Sequence, residues 1–169
     1  MRVLPFLSRF RIGLSVGLLL APFPVWAGDG PAERASLKGI PSLQAAVEPV
    51  WPDAEGDGLT TAQLEADIEL RLREAGLKVV PLANDVLHVH VNTVKHPDGR
   101  FYAFNISVVF YQVVVPLRAM QHQTMLPAAT WSVGLVGVVS TATLREVRSE
   151  VTALVDKFIA AYLEQNPRR

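Results

Sequence analysis

The chain has 169 residues, with 16 Lys and Arg, 16 Asp and Glu, 4 His and no cysteine. This length fits one domain with a single core. The lack of cysteine excludes disulfides, Cys-ligated metal sites and a Cys nucleophile, and the formal charge of zero is not typical of nucleic-acid binding. Half of the residues are hydrophobic, so the sequence predicts a folded protein rather than a disordered one.

The first 27 residues have the pattern of a secretory signal peptide. Three arginines precede the apolar run 12–21, and Ala27 offers a small side chain for cleavage. The run is too short for a membrane span, which needs about 20 residues. We therefore predict a signal peptide at 1–27 and a periplasmic or secreted product that is not transmembrane after cleavage. An uncleaved amino-terminal anchor is the alternative.

The next segments are predicted from turn residues and alternation. Residues 28–39 are rich in Gly, Pro and charge, which predicts a flexible leader before a single domain at 40–167. A first strand runs from Leu43 to about Val50, and 53–58 is an acidic, turn-rich loop. That loop loosely resembles a calcium loop but lacks its closing Glu, so a solvated turn is the preferred interpretation.

The first helix is predicted from Thr60 to Ala75. Its apolar residues alternate with charges, a pattern that taken alone indicates a strand. Thr60 and Gln63 form a capping box, and Gly76 stands where a helix ends. Acid-before-base pairs four residues apart, such as Glu69 with Arg73, also favour a helix.

Four more strands and a second helix follow. The strands are predicted at 77–82, 86–94, 101–115 and 128–139, with a hairpin loop at 96–100 and a longer connection at 117–127. The last helix begins at a second capping box, Thr143 with Glu146, and ends at Asn166-Pro167. The order β-α-β-β-β-β-α predicts an α+β, two-layer sandwich: a mostly antiparallel sheet of about five strands with two helices on one face.

The strands sort into one apolar and one polar face, because strand side chains alternate with period two. The apolar face, which two amphipathic helices would cover, consists of Leu87, Val89, Val91, Tyr102, Phe104, Ile106, Val108, Phe110, Trp131, Val133 and Leu135. The polar face, left open, consists of His88, His90, Asn92, Asn105, Ser107, Thr130 and Ser132. This face turns apolar at Val109, Tyr111, Val113 and Val115, and such a run is expected to be covered by a partner, a second subunit or the 117–127 connection.

Few residues suggest chemistry. His88 and His90 are about 7 Å apart on one strand face, a spacing that suits a shared zinc or copper ion. A third ligand from His96, His122 or Asp98 would need the loops to fold back, so a pair of solvated histidines is the other interpretation. The sequence has no nucleophile elbow and no phosphate-binding glycine loop. We expect no cofactor, and whether the protein is an enzyme stays uncertain, with a non-enzyme favoured.

Four segments carry a resemblance to known proteins. At Gly58–Leu64, Glu69–Gly76, Ala129–Gly134 and Asp156–Pro167 the chain resembles a family of short exported bacterial proteins of unknown function, and the likeness spans about residues 40–167. It brings no catalytic residues. More distantly, the order of elements is similar to small envelope domains: the amino-terminal domain of the Tol–Pal translocation protein, the lipopolysaccharide-assembly lipoprotein and transporter-auxiliary lipoproteins.

The sequence thus predicts an exported, non-enzymatic module that binds a protein partner, a second copy of itself or an envelope component through the open face. The predicted binding residues are His88, His90, Asn92, Asn105, Ser107, Val109, Tyr111, Val113, Thr130 and Ser132. The alternative is a periplasmic protein that binds a small ligand or a metal through His88 and His90, and an unrecognised hydrolase is a third hypothesis.

Overall fold

The computed structural model describes residues 28–122 and 124–167. The helices are α1 (Pro31–Ala35), α2 (Pro52–Gly56), α3 (Thr61–Glu74) and α4 (Val147–Gln165). The strands are β1 (Gln44–Val47), β2 (Val86–Lys95), β3 (Phe101–Val114) and β4 (Leu126–Ser140). Two 3₁₀ turns, Leu117–His122 and Thr141–Glu146, flank β4.

The strands form one sheet in the order β1-β2-β3-β4, in which β1 runs parallel to β2 and the other pairs are antiparallel. This confirms the predicted α+β sandwich, with four strands where about five are expected from the sequence. The segment 77–82 makes only an isolated parallel bridge between Val79 and Leu43. The Leu43 N–H donates to the Lys78 carbonyl at 3.0 Å and the Val80 N–H donates to the Leu43 carbonyl at 2.9 Å, so the pairing is confined to the one residue before β1 and does not form a strand.

The two long helices cover the predicted apolar face. Leu64, Ile68 and Leu72 of α3 are buried, and Phe158 of α4 lies with its ring 5.2 Å from those of both Phe110 and Trp131. The whole predicted apolar set of β2 and β3 is buried, and so are Trp131 and Val133 of β4. In the described ranges, no helix combines the length and apolar character that crossing a membrane requires.

The segment predicted as a flexible leader packs against the domain. Leu37 is 0% exposed. The Asp29 carboxylate accepts hydrogen bonds from Trp131 Nε1 at 2.7 Å and from Arg34 Nε at 2.9 Å, and Arg34 Nη1 lies 2.7 Å from Glu164 of α4. Residues 28–39 are therefore held by both a buried apolar side chain and a polar network, neither of which local composition predicts.

The acidic loop predicted at 53–58 contains α2, with proline in its first turn and Ala54 buried. Asp57 ends this helix and accepts hydrogen bonds from Lys95 Nζ and from the buried Tyr102 hydroxyl, both at 2.6 Å. The hydrogen bonds from Lys95 and then Tyr102 lower the pKa of Asp57, while burial and the contact with Asp57 raise the pKa of Tyr102. Asp57 thus ties α2 to β2 and β3.

Of the two capping boxes predicted at helix starts, the structure contains the first and not the second. Thr60 caps α3 as predicted, accepting a hydrogen bond from the Gln63 N–H at 3.4 Å. The predicted second capping box is wrong, because Thr143 Oγ1 pairs with Ser140 Oγ at 2.7 Å inside a 3₁₀ turn. Helix α4 then starts at Val147 without a side-chain cap.

Candidate functional site

No helix or strand of residues 28–122 and 124–167 covers the side of the sheet opposite the two long helices, and we call this side the open face. It carries the following predicted site residues, all exposed or half-buried: His88, His90 and Asn92 on β2, Asn105, Ser107, Val109, Tyr111 and Val113 on β3, and Ser132 on β4. The strand register aligns them in the rows Asn92–Asn105–Val136, His90–Ser107–Gly134 and His88–Val109–Ser132. The structure therefore brings nine of the ten predicted residues onto one continuous surface.

Thr130 does not lie in these rows. The register shifts between Phe110, which pairs with Trp131, and Tyr111, which pairs with Ala129, so Thr130 is the extra residue of a β-bulge. Its Oγ1 lies 2.7 Å from Gln112 Oε1, and Gln112 alternates with Tyr111 and so belongs to the other face. A bulge changes side-chain parity, and alternation alone therefore misplaces Thr130.

Glu48 joins the two histidines, which the sequence analysis does not anticipate. Its Oε1 lies 3.0 Å from His88 Nε2, and its Oε2 lies 3.5 Å from His90 Nε2. The Glu48 N–H donates to the Val89 carbonyl at 3.0 Å, which continues the parallel pairing of β1 with β2 and sets the carboxylate beside the imidazoles. The Tyr111 ring stands edge-on to His88, with centroids 6.0 Å apart.

The remaining predicted metal ligands lie elsewhere. His96 follows β2 in the hairpin loop, where its Nδ1 lies 2.9 Å from Asp98 Oδ1. It lies six positions after His90, a distance of about 20 Å along an extended strand. Within the described ranges, no group of three or more His, Asp or Glu side chains is arranged to hold a metal ion, and the His122 side chain lies outside what is described.

Trp51 forms one rim of the open face. It is the N-cap residue of α2, it is 58% exposed, and its Nε1 donates to Asn92 Oδ1 at 3.1 Å. The local sequence, with Pro52 next to Trp51, does not predict that the indole contacts the sheet. An exposed tryptophan with a polar anchor is a common feature of binding surfaces.

The open face is apolar at both ends. At one end, Tyr111, Val113 and Val115 are 37%, 44% and 40% exposed, as the sequence predicts. At the other end, Val136 is 74% and Val138 is 73% exposed, and the sequence analysis does not identify these two. They cannot be identified from alternation, because β4 is apolar on both faces here and the covered side does not differ in pattern from the open side.

A shallow hollow of about 320 Å³ lies on the open face between β3 and β4. The residues that line it include Gly134, Asn105, Ser107, Ser132 and Val136. A Cβ on Gly134 would approach the Ile106 carbonyl to 3.0 Å. The glycine thus opens the polar middle of this surface while the strands stay close-packed.

No protein-family model matches the chain, and no curated protein does. Among solved structures, the chain is similar to a PelC dodecamer from Paraburkholderia phytofirmans, with 17% identity over 72% of this chain and 86% of that chain and a TM-score of 0.38. It is also similar to the rare lipoprotein B from Shewanella oneidensis, with 18% identity over 71% of this chain and 89% of that chain and a TM-score of 0.26. Likenesses at these levels assign neither a function nor an assembly to this chain.

Proposed function

We propose that the protein is an exported, non-enzymatic module that binds a protein partner through the open face. The single observation that supports this most is the uncovered β2–β4 surface, whose polar middle is flanked by exposed apolar side chains at both ends. Sheets of two-layer sandwiches commonly leave one face to water, but that face is then polar. Large apolar patches on a soluble domain mark sites of protein interaction.

The composition of the open face favours a protein over a small molecule. Its hollow is shallow, whereas small-molecule sites are concave and bury most of the ligand. Asn105, Ser107 and Ser132 offer neutral donors and acceptors without fixed charge, and Trp51 and Tyr111 supply aromatic surface near the rim. Protein interfaces are enriched in aromatic residues and depleted in charged ones, and the open face shares both features.

Export is part of the proposal and depends on the signal-peptide pattern at 1–27, which lies outside the described residues. The resemblance to short exported bacterial proteins points the same way and remains a prediction. An envelope protein is therefore the partner class that we propose.

Site-specific photo-crosslinking tests this proposal in the cell. A photoreactive phenylalanine analogue replaces Ser107 in the middle of the open face, and in a matched control it replaces Leu70, which is 57% exposed on the outer side of α3. We expect one discrete crosslinked protein at position 107, none at position 70, and loss of the adduct when His90→Glu is added. Equal adducts at both positions, or an adduct that His90→Glu leaves unchanged, would contradict the proposal.

A second candidate function, binding of a small ligand or metal, is favoured by one observation. Both imidazoles of His88 and His90 face the Glu48 carboxylate, so three polar groups lie side by side on the open face, although they are not arranged as a metal-ligand set. Calorimetric titration with zinc separates the two candidates. Stoichiometric binding that His90→Ala abolishes would favour the second, and weak or absent binding would favour the protein partner.

A further inference from the structure

The outer edge of β4 is a long strand edge that borders the open face. The sheet order places β4 at one edge, and the strand is 15 residues long. No Asp, Glu, Lys or Arg stands between Arg118 and Arg145. Soluble proteins usually protect long edge strands with charged residues, prolines or short length, and the only proline in β4, Pro127, lies at its start.

One part of this edge is already covered by the chain itself. The Ser132 N–H donates outward to the Gly28 carbonyl at 3.0 Å, and Ser36 Oγ lies 3.4 Å from the Thr130 carbonyl. Because backbone groups alternate along a strand, the N–H and C=O groups of Gly134, Val136 and Val138 also point outward. Among the residues that the structure describes, none pairs with these outward backbone groups of the segment that follows Ser132, and this edge lies next to exposed valines.

We propose that a second copy of this chain pairs with β4 along residues 134–138, in antiparallel orientation around a twofold axis at Val136. In this register each Val136 faces its counterpart, each Gly134 faces Val138 of the other copy, and each Leu135 faces Gly137. Every large side chain beside the axis thus meets a glycine. The sequence Gly-Leu-Val-Gly-Val is complementary to its own reverse, which favours a copy of the chain over an unrelated strand.

The local packing fits this register. Leu135 is half-buried at the edge of the core, so a second copy would complete its burial. Gly137 has no space for a larger side chain, because a Cβ there would lie 2.6 Å from the Phe104 ring. The paired segment would form about six interchain hydrogen bonds, and Gly28 at Ser132 limits it to these five residues.

The pairing joins two four-stranded sheets into one continuous sheet. The contact is isologous, so the two copies are related by a twofold axis. Because this axis is perpendicular to the sheet, both open faces lie on the same side. The inference does not depend on the proposed function, since a monomer could bind a partner through its open face equally well. It adds that the partner would meet two copies of that face.

Disulfide trapping tests the register, and the natural lack of cysteine makes the test clean. Residues directly opposite in a hydrogen-bonded antiparallel pair have Cα atoms about 5.5 Å apart, within the range of a disulfide. We expect Val136→Cys to form a covalent dimer under mild oxidation. Val138→Cys is the matched control, because its two copies would lie about 14 Å apart along the strands and should stay monomeric.

Two further measurements extend the test, and the second uses the unsubstituted protein, so no folding defect of a variant can affect it. Mixing Gly134→Cys with Val138→Cys protein should give a mixed disulfide, and sedimentation equilibrium of the unsubstituted protein should give the mass of a dimer. A monomer in sedimentation would overturn the inference. Equal trapping of Val136→Cys and Val138→Cys would overturn it as well, and neither result would affect crosslinking from position 107.

Discussion

Phe158→Ala is expected to destabilise the protein by about 3–5 kcal/mol, the range for removing a buried phenylalanine. Phe158 is 0% exposed and its ring lies 5.2 Å from those of Phe110 and Trp131. These three rings join α4 to β3 and β4, so the cavity would open where the helix layer meets the sheet. Urea unfolding followed by circular dichroism measures the loss.

Leu70→Ala is the control for this prediction. Leu70 is 57% exposed on α3, so its truncation should change the free energy of unfolding by no more than about 0.5 kcal/mol. If Phe158→Ala lowers the free energy of unfolding by less than about 1 kcal/mol, α4 does not cover the sheet as described, because effects this small are typical of surface positions.

Asp29→Ala is expected to cost roughly 1–3 kcal/mol, because it leaves the N–H of a buried side chain without a partner. The carboxylate accepts from Trp131 Nε1 at 2.7 Å and from Arg34 Nε and Nη2 at 2.9 and 2.8 Å. The side chain of Trp131 is buried, so water does not readily replace the lost acceptor. Release of residues 28–36 from the β4 edge should follow.

Hydrogen exchange measures this release. Amides of residues 32–36 should exchange faster in Asp29→Ala than in the unsubstituted protein, and the urea midpoint should be lower. Glu65→Ala, an exposed acid on α3, is the matched control and should leave both quantities unchanged. Unaltered exchange at 32–36 in Asp29→Ala would show that the Asp29 network does not hold this segment.

The sequence predicts the two faces of the sheet well, for a physical reason. Alternation depends only on side-chain parity within a strand, so Phe104 and Trp131 are placed inside and Asn105 and Ser132 outside without any knowledge of the strand order. Thr60 likewise marks the start of α3, because a cap is a contact between residues three positions apart. Such local rules determine much of this fold.

Contacts between distant segments could not be predicted in the same way. Asp29 and Trp131 are 102 positions apart, and nothing in the composition of 28–39 signals that the segment docks. Glu48 meets His88 only because β1 pairs parallel to β2, and Thr130 leaves the open face because of a bulge. Each depends on which segments become neighbours, which local patterns do not encode.

The most direct test of the central claim is the rate of maleimide labelling at single cysteines introduced on the two faces. In the purified protein, Asn105→Cys should react readily, and Ile106→Cys, at a position that is 0% exposed, should react only after unfolding. In intact cells, Asn105→Cys should be protected relative to the purified protein, while Glu65→Cys on α3 should not. Rapid labelling of Ile106→Cys in the folded protein, or equal labelling of Asn105→Cys in both settings, would contradict the account of an open face that binds a partner.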